Sequence, residues 1–318
     1  MQYFLTYCLG LPAPSGKRAE IGTIVHKVLE GIANVKLATQ KGDDGYYDNI
    51  LHELEARYIQ NDGYISALTE RSYDYYQPKS IHKWYPRDKK ECEELVFKAL
   101  SQGNGMFDPR KREIVAVEPF FDTMLKEDWA TFQWEMPDGS VLTGNLHIKG
   151  TIDLILKSSD NLYEVCDWKT GKRKDWATEK EKSYAMLDKD PQLSIYHLAT
   201  SGLYPDIPNW AMTMNYIAYG GPFTCAYTHE DIIRTLEMLR KQFERIKSCK
   251  RPSLRRGQAR WFCNRVCHYG KTKHPDSKCG DSICWYLHQK LRRVGMDKLM
   301  QEDMHPGFTL GDYQSPGE

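Results

Sequence analysis

Two charged residues follow a β-prone apolar run in the stretch YEVCDWKTGKRK, and their spacing suits them to catalysis. Asp167 and Lys169 are two residues apart, so on a strand they project from the same face. Burying either charge alone is costly unless another group compensates it. Asp153 lies in another β-prone run, GTIDLILK, fourteen residues earlier. If adjacent strands joined by a short turn carry these runs, both carboxylates reach one point.

Paired carboxylates beside a lysine predict a site for a divalent cation. Mg²⁺ binds through one or two carboxylates, keeps several waters and contacts substrate phosphates. Lys169 would orient or deprotonate a water molecule there while it stabilises phosphate charge. This set of residues suits metal-dependent phosphodiester hydrolysis. The alternative interpretation of Asp167 and Lys169 is an ordinary ion pair at the end of a strand.

The elements that must position these residues are helical first and strand-like afterwards. Apolar spacing predicts a helix that begins near Gly22 and carries His26, a second helix over residues 47–59 and a third over residues 87–103. Four β-branched or aromatic runs follow, with turn sequences between them that favour an antiparallel meander. These runs cover residues 112–119, 129–136, 146–157 and 162–169.

The rest of the chain predicts one more strand between two helices. Asp190 and Pro191 are suited to the N-cap and first turn of a helix, and Thr228 with Asp231 resembles the capping box of another. A strand is predicted between them at residues 210–220. We therefore predict an α/β fold, with a central mixed sheet flanked by helices and a cysteine-rich C-terminal region.

We expect a single domain with four parts. The predicted boundaries are a helical part at about residues 1–105, a core at about 106–220, a helical and cysteine-rich region at about 221–300 and a loose tail at 306–318.

Basic residues are concentrated near the C-terminus although the formal net charge is only +1. Residues 231–300 contain 18 Lys and Arg against 6 Asp and Glu. This excess favours a polyanionic ligand, and the alternative is a solvated basic helix face. No stretch is long and apolar enough to span a membrane, and the N-terminus lacks the basic region of a secretion signal. We expect an intracellular, cytoplasmic protein, in a bacterial host if a phage encodes it, without a membrane partner.

The ordered set of motifs resembles the PD-(D/E)xK nuclease superfamily. The matching residues are G-T-I-V-H at 22–26, G-T-I-D at 150–153, D-W-K-T-G at 167–171 and the Q-x-x-x-Y pair at Gln192 and Tyr196. Within the superfamily, the chain is similar to the RecB/AddB-type nuclease domain and to CRISPR-associated and phage iron–sulfur exonucleases. The resemblance implies a restriction-endonuclease-like sheet.

The resemblance also implies roles for individual residues in the catalytic centre. Asp153 and Asp167 would be metal ligands, Lys169 the catalytic lysine and His26 a further ligand. Glu118 occupies the place of a helper glutamate, which makes it an additional metal-ligand candidate. The implied cation is Mg²⁺ or Mn²⁺.

DNA contacts are expected next to that centre. Gln192 and Tyr196 are one turn apart on a helix, where they would support the site or contact DNA. Lys172 and Arg173 lie just beyond the turn after Lys169, where they would bind the substrate or face water. The predicted contacts are Gln192, Tyr196, Lys172 and Arg173, with Trp261 or Tyr269 stacking the bases of a single strand.

Four of the nine cysteines cluster near the C-terminus, and their proximity predicts a metal site. A zinc site would use these four thiolates, whereas an iron–sulfur cluster could take one ligand from elsewhere. In the resembling nucleases, one cysteine precedes the histidine motif, so Cys8 becomes a fifth candidate. We predict a [4Fe–4S] cluster, with Zn²⁺ as the alternative. The predicted ligands are Cys8, Cys263, Cys267 and Cys284, with Cys279 as the alternative ligand.

The sequence therefore predicts a metal-dependent DNA exonuclease that acts on single strands or DNA ends in recombination, repair or degradation. No G-x-x-x-x-G-K-[ST] motif is present, so unwinding would need a helicase or recombination protein as partner. The alternative is a non-catalytic, zinc-stabilised nucleic-acid-binding or interaction module. In that case Asp153, Asp167 and Lys169 would be structural.

Overall fold

The coordinates are a computed structural model of the 318-residue chain. The structure describes residues 4–135, 139–175, 178–248, 263 and 267–306. The chain forms two compact units, one of residues Gly16–Arg245 and one of the paired segments Met1–Ser15 and Ile246–Glu318. We call them the catalytic unit and the terminal unit.

The catalytic unit begins with helices, continues with strands and ends with alternating helices and strands. Its elements are α1 (Lys17–Gln40), β1 (Gly45–Asp48), β2 (His52–Glu55), α2 (Asp62–Tyr76), α3 (Pro86–Gly105), β3 (Glu113–Val117), β4 (Phe120–Met124), β5 (Thr131–Glu135), β6 (Val141–Asn145), β7 (His147–Thr151), β8 (Leu154–Ser159), β9 (Leu162–Lys169), α4 (Tyr184–Leu187), α5 (Pro191–Leu203), β10 (Asn209–Tyr216), β11 (Gly221–Tyr227) and α6 (His229–Lys247).

The central sheet has five strands in the order β11-β10-β9-β8-β3. Strands β9 and β10 are parallel and are connected through α5, whereas the other neighbours are antiparallel. The sheet is therefore mixed, with one parallel and three antiparallel pairs. Only the parallel pair requires a crossover connection. This topology confirms the predicted α/β class and fits a restriction-endonuclease-like fold.

Both faces of this sheet are buried. Leu154, Leu156 and Trp168 pack with the apolar residues of α1, α2 and α3. The intervening residues Ile155 and Val165 project to the other face, where they pack in a cluster with residues of α5. This alternation fixes the register, because a shift by one residue would exchange the two faces. It places the side chain of residue 167 on the α5 face and that of residue 168 on the α1 face.

The predicted antiparallel meander is wrong in part. Strands β4 and β7 form a separate two-stranded ladder, and so do β5 and β6. The predicted run 146–157 divides between β7 and β8 at Ile152 and Asp153. The chain that pairs with this run is also interrupted, at Glu118 and Pro119 between β3 and β4. Proline cannot donate to a ladder, and Glu118 takes a positive φ of 48°.

The predicted helix over residues 47–59 is also wrong, since this stretch contains the hairpin β1–β2. Oδ1 of Asp48 accepts hydrogen bonds from the amides of Ile50 and Leu51 at 2.8 Å, which closes a turn there. Leu51 and Leu54 are buried, and their spacing fits a helix as well as this hairpin. The helix α2 that follows was not predicted.

Other helix predictions are confirmed with shifted ends. Helix α1 begins at Lys17 rather than near Gly22, because its charged first turn gives no apolar signal. Helix α5 begins as predicted, with Asp190 as the N-cap and Pro191 in the first turn. Before α6, Oδ2 of Asp231 accepts a hydrogen bond from the amide of Thr228 at 2.6 Å, which is half of the predicted capping box.

The terminal unit joins the first residues of the chain to its C-terminal helices. It contains a helical turn (Phe4–Cys8), α7 (His268–Lys271), α8 (Ile283–Val294) and α9 (Met296–Asp303). The amide of His305 donates to the carbonyl of Leu9 at 2.7 Å, and Tyr269 donates to the carbonyl of Leu11. These bonds connect chain segments more than 250 residues apart. All but the first residue of the predicted tail 306–318 lies outside the described residues.

Across the described residues, no helix combines the length and apolar character that crossing a bilayer requires.

Candidate active site

Two carboxylates lie at the corner where the central sheet passes into the β4–β7 ladder. Glu118 separates β3 from β4, and Asp153 separates β7 from β8. The amide of Glu118 donates to the carbonyl of Asp153 at 3.1 Å, and the amide of Ile152 donates to the carbonyl of Pro119 at 3.2 Å. The left-handed φ of Glu118 is rare for a non-glycine residue. Backbone strain of this kind is frequent at functional sites.

Helix α1 brings a histidine to this corner. Nδ1 of His26 lies 3.6 Å from Oδ2 of Asp153, and the amide of Trp168 donates to the same oxygen at 2.7 Å. The rings of His26 and Trp168 meet edge to face with centroids 6.1 Å apart. One ligand atom each from His26, Glu118 and Asp153 lie within 4.8 Å of one another. The structure therefore brings together three of the four predicted metal ligands.

Asp167, the fourth predicted ligand, is held by partners from β9 and α5. The register of β8 with β9 pairs Leu154 with Cys166, so Asp153 and Asp167 are neighbours as predicted. Oδ2 of Asp167 lies 2.5 Å from Nζ of Lys169. Oδ1 accepts a hydrogen bond from Nε2 of Gln192 at 2.8 Å. Asp167 is 1% exposed, and its two oxygens are thus directed toward these partners.

Gln192 and Tyr196 share a face of α5 as predicted, and that face supports Asp167. Nε2 of Gln192 also lies 2.7 Å from the hydroxyl of Tyr196. This hydroxyl donates to the carbonyl of Thr151 at 2.9 Å. Tyr196 is 7% exposed, so its ring belongs to the core. The helix therefore connects Asp167 to the end of β7.

A cavity of about 660 Å³ opens beside the three converging side chains of His26, Glu118 and Asp153. Its walls come from α1, from the end of α2, from the sheet corner and from the turn after β9. Helix α1 approaches that turn closely, because a Cβ at Gly22 would lie 3.0 Å from Oγ1 of Thr170. The lining residues relevant here are His26, Glu30, Tyr76, Glu118, Lys169 and Tyr216.

The electrostatics of the corner favour a cation. Burial raises the pKa of Glu118 to about 8, and repulsion from Asp153 and Glu30 adds to the rise. Burial likewise raises the pKa of Asp153 and of Asp167, which also repel each other. The pKa of His26 is lowered by burial, so its imidazole is neutral and able to ligate. Buried like charges of this kind are relieved by a bound cation.

The sequence prediction missed a residue of α1 that lies one turn after His26. Glu30 is four residues after His26 and therefore faces the same cavity. Nζ of Lys27 lies 2.9 Å from Oε1 of Glu30 and 2.6 Å from Oδ2 of Asp48. The i, i+4 spacing from His26 was the signal that could have identified Glu30.

The predicted DNA contacts differ in exposure. Lys172 is exposed, whereas Arg173 is half-buried in an ion pair with Glu181. Tyr269 is 1% exposed, so the prediction that it stacks bases is wrong. Trp261 lies outside the described residues.

Three of the predicted cluster cysteines lie in one apolar cluster of the terminal unit. Cys267 and Cys284 are buried members of this cluster, and Cys8 is partly buried against it. The backbone of Cys263 is also close, since a Cβ at residue 270 would lie 2.2 Å from its carbonyl oxygen. Cys279 is exposed. Within the described residues, no three of these thiols lie within 4.8 Å of one another.

Two comparisons with known proteins complete the description of the site. The family model described as the PD-(D/E)XK nuclease superfamily matches residues 1–271. The matched region includes the whole catalytic unit and ends before Cys279 and Cys284. A comparison with curated proteins found no match.

Proposed function

The chain belongs to the PD-(D/E)XK nuclease superfamily, and we propose that it is a metal-dependent DNA exonuclease acting on single strands or DNA ends. Nucleases of this superfamily use divalent metals to hydrolyse phosphodiester bonds. One observation carries the proposal: His26, Glu118 and Asp153 converge within 4.8 Å beside a cavity that Lys169 lines. A purely structural ion pair would explain Asp167 with Lys169, but it would not explain three further ligands at the adjacent corner.

The converging residues fit a hard divalent cation. Two carboxylates and one imidazole are ligands that suit Mn²⁺, and the carboxylates also suit Mg²⁺. The raised pKa of Glu118 shows that its negative charge lacks compensation in the protein alone. His26, Glu118 and Asp153 would hold the cation, with Asp167 as the further ligand that the motif predicts. When bound, the cation would supply Lewis-acid polarisation of the phosphodiester and activation of water.

The chain's own residues would orient the substrate and stabilise its charge. The ammonium of Lys169 lines the cavity and is held 2.5 Å from Oδ2 of Asp167. There it would contact a non-bridging phosphate oxygen and the attacking water. Gln192 fixes Asp167 from behind, which in turn fixes Lys169. Lys172 and Arg173 would contact phosphates of the strand just beyond the turn.

We also propose that the terminal unit binds a [4Fe–4S] cluster through Cys8, Cys263, Cys267 and Cys284. Cys8 packs against the apolar cluster that contains Cys267 and Cys284, and Cys279 is exposed, which supports this choice of ligands. The cluster would connect the first and last segments of the chain, which hydrogen bonds already link. The alternative is a zinc site held by the four C-terminal thiols, those of Cys263, Cys267, Cys279 and Cys284.

Within the superfamily, we propose that the chain is a RecB/AddB-type nuclease related to CRISPR-associated and phage iron–sulfur exonucleases. This placement rests on the order of motifs from His26 to Tyr196. On this basis we propose a role in DNA recombination, repair or degradation, with a phage as a source and a helicase or recombination protein as a partner.

The nuclease proposal is tested by incubating the protein and Mn²⁺ with single-stranded DNA labelled at each end in turn. We expect wild type to shorten the DNA and Asp153→Asn to leave it intact. Asp160→Asn is the matched control, because Asp160 is 91% exposed in the turn between β8 and β9. If wild type leaves DNA intact with Mg²⁺ and with Mn²⁺ but still binds it, the non-catalytic interaction module is supported instead.

A further inference from the structure

An aromatic and basic surface lies between α2 and α3, at residues 75–87. We call it the aromatic–basic segment. Tyr75 is 41% exposed and Tyr85 is 39% exposed. Nζ of Lys79 lies 3.2 Å from the ring centroid of Tyr75. Nζ of Lys83 and the guanidinium carbon of Arg87 lie 5.3 and 5.1 Å from the centroid of Tyr85.

None of the three cations of this segment is held in an ion pair with a described residue. Among the described residues, Lys79, Lys83 and Arg87 form no ion pair, whereas nearby Lys17 and Lys89 are paired with Asp88 and Glu70. Residues 75–87 contain no Asp or Glu, so the segment carries an excess of positive charge, although Arg87 lies beside Asp88. Solvent-exposed cations over tyrosine rings are common on protein surfaces. The excess of cations over carboxylates within the segment is what distinguishes this surface from an ordinary one.

The segment is fixed next to the active-site cavity. Nζ of Lys17 in α1 donates to the carbonyl of Lys83 at 2.8 Å, and the hydroxyl of Ser80 donates to Glu20. Ala19, which lines the cavity, lies between these two residues of α1. Tyr76 lines the cavity as well, and its ring centroid is 5.0 Å from that of Tyr75. Exposed rings and cations that form no ion pair with a described residue therefore continue directly from the cavity wall.

We propose that the aromatic–basic segment holds a single strand of DNA that enters the active site, an inference that rests on the proposed nuclease function. Tyr75 and Tyr85 would stack on bases, and Lys79, Lys83 and Arg87 would contact phosphates. Base stacking on an aromatic ring is stronger than an exposed cation–π pair, so a base can replace the cation over each ring. The displaced cation then remains within reach of the neighbouring phosphates.

The same chemistry selects a single strand over a duplex. In a duplex the faces of the bases are covered by their neighbours in the stack, and only phosphates remain for the cations. A single strand offers both base faces and phosphates, which the alternating tyrosines and cations match. An acidic protein partner would contact the cations without stacking on the rings. Separate replacement of the tyrosines and of the cations distinguishes it from a single strand of DNA.

The test measures binding in EDTA, so that no cleavage occurs, by fluorescence anisotropy of labelled (dT)20 and a 20-base-pair duplex. We expect Tyr75→Ala/Tyr85→Ala to weaken (dT)20 binding by at least about tenfold while duplex binding changes less than threefold. The matched control is Tyr47→Ala/Tyr58→Ala. Tyr58 is 40% exposed beneath Arg57, but Arg57 is paired with Glu55.

The cations are tested through salt dependence. Replacing Lys79, Lys83 and Arg87 by Gln should reduce the slope of log affinity for (dT)20 against log salt by about 2, because each phosphate contact contributes about 0.7. Thermal unfolding should be unchanged in all variants, since the replaced side chains are exposed.

The outcomes separate this inference from the nuclease proposal. If wild type cleaves DNA but Tyr75→Ala/Tyr85→Ala binds (dT)20 as tightly as the control, only the strand-holding role is overturned. Equal losses for (dT)20 and duplex overturn base stacking, and wild type that binds neither overturns the whole inference. If wild type binds (dT)20 through the tyrosines but cleaves no DNA with any divalent metal, the nuclease proposal fails and the surface stands.

Discussion

The catalytic unit and the terminal unit solve different stability problems. In the catalytic unit, large apolar clusters cover both faces of the sheet, and the site residues are positioned by this core. It can therefore hold buried carboxylates with raised pKa values. The terminal unit buries a much smaller cluster among the described residues. Its members are Leu5, Leu9, Cys267, Tyr269, Cys284, Leu287 and Leu299.

This difference indicates what each of the two proposed metal sites would do. A small apolar core is seldom sufficient for stability, and metal binding then becomes part of the folding free energy. In the terminal unit, a cluster would be structural. In the catalytic unit, a cation would serve chemistry, because the fold places Asp153 and His26 without it. The following variants test this contrast, from the largest expected effect to the smallest.

Removing Lys169 should affect chemistry without affecting the terminal unit. We expect Lys169→Ala to lower kcat on single-stranded DNA by roughly 10²–10³-fold, as expected for loss of a charge-stabilising group in an active site. Lys149→Ala is the matched control, since Lys149 is 47% exposed and pairs with Asp122 on the β4–β7 ladder. Iron content should match wild type, and an activity within threefold of wild type would contradict the catalytic role.

Removing Cys8 should affect the terminal unit instead. We expect Cys8→Ser to lower iron from about four atoms per chain to below one, because three thiolates hold the cluster poorly. Limited proteolysis should then cleave within residues 246–306 while the fragment covering Gly16–Arg245 persists. Cys279→Ser, at an exposed position, should keep its iron. Colourless wild type with one zinc per chain would refute the cluster and support the zinc alternative.

Loss of Gln192 should produce an intermediate effect on activity. We expect Gln192→Ala to lower kcat about 10–100-fold, the usual effect of removing a partner that orients a metal-site residue. The acid limb of the pH–rate profile should also move to higher pH. The lost hydrogen bond stabilised the charged form of Asp167, so the pKa of Asp167 rises further without it. Exposed Gln242 provides the control Gln242→Ala, and an unmoved acid limb would argue against the role of Gln192.

Glu118 gives the smallest effect, and it concerns stability. The pKa of Glu118 rises from 4.5 to about 8 on folding, so its contribution to stability is complete below pH 4.5 and is lost as pH rises toward 8. In EDTA, the urea-unfolding free energy of wild type should therefore fall across this window. Glu118→Gln should remove that fall and be more stable by about 1–3 kcal/mol at pH 8.5.

Added Mn²⁺ provides the second readout for Glu118. It should raise the unfolding temperature of wild type but not of Glu118→Gln, because a ligand is missing. Glu113→Gln is the control, since Glu113 is 60% exposed at the start of β3. Equal Mn²⁺ stabilisation of both variants would show that Glu118 is not a ligand.

Prediction from sequence succeeded where neighbouring residues carry the signal. Asp190 with Pro191 specifies a helix start through one side-chain cap and one fixed φ. It failed for residues 47–59, because Leu51 and Leu54 satisfy helical spacing while the turn at Asp48 favours a hairpin. It also missed Glu30, whose position in the cavity wall depends on which face of α1 meets the sheet corner.

The sequence by itself determined the chemistry of the centre: Asp167 and Lys169 share a strand face, and the motif order from His26 to Tyr196 indicates the family. Only the tertiary structure decided how those residues meet. Glu118 reaches Asp153 because two strand pairs change partners at one corner, and Gln192 reaches Asp167 because a crossover helix covers that face. Such contacts depend on pairing between distant segments, which local sequence patterns do not encode.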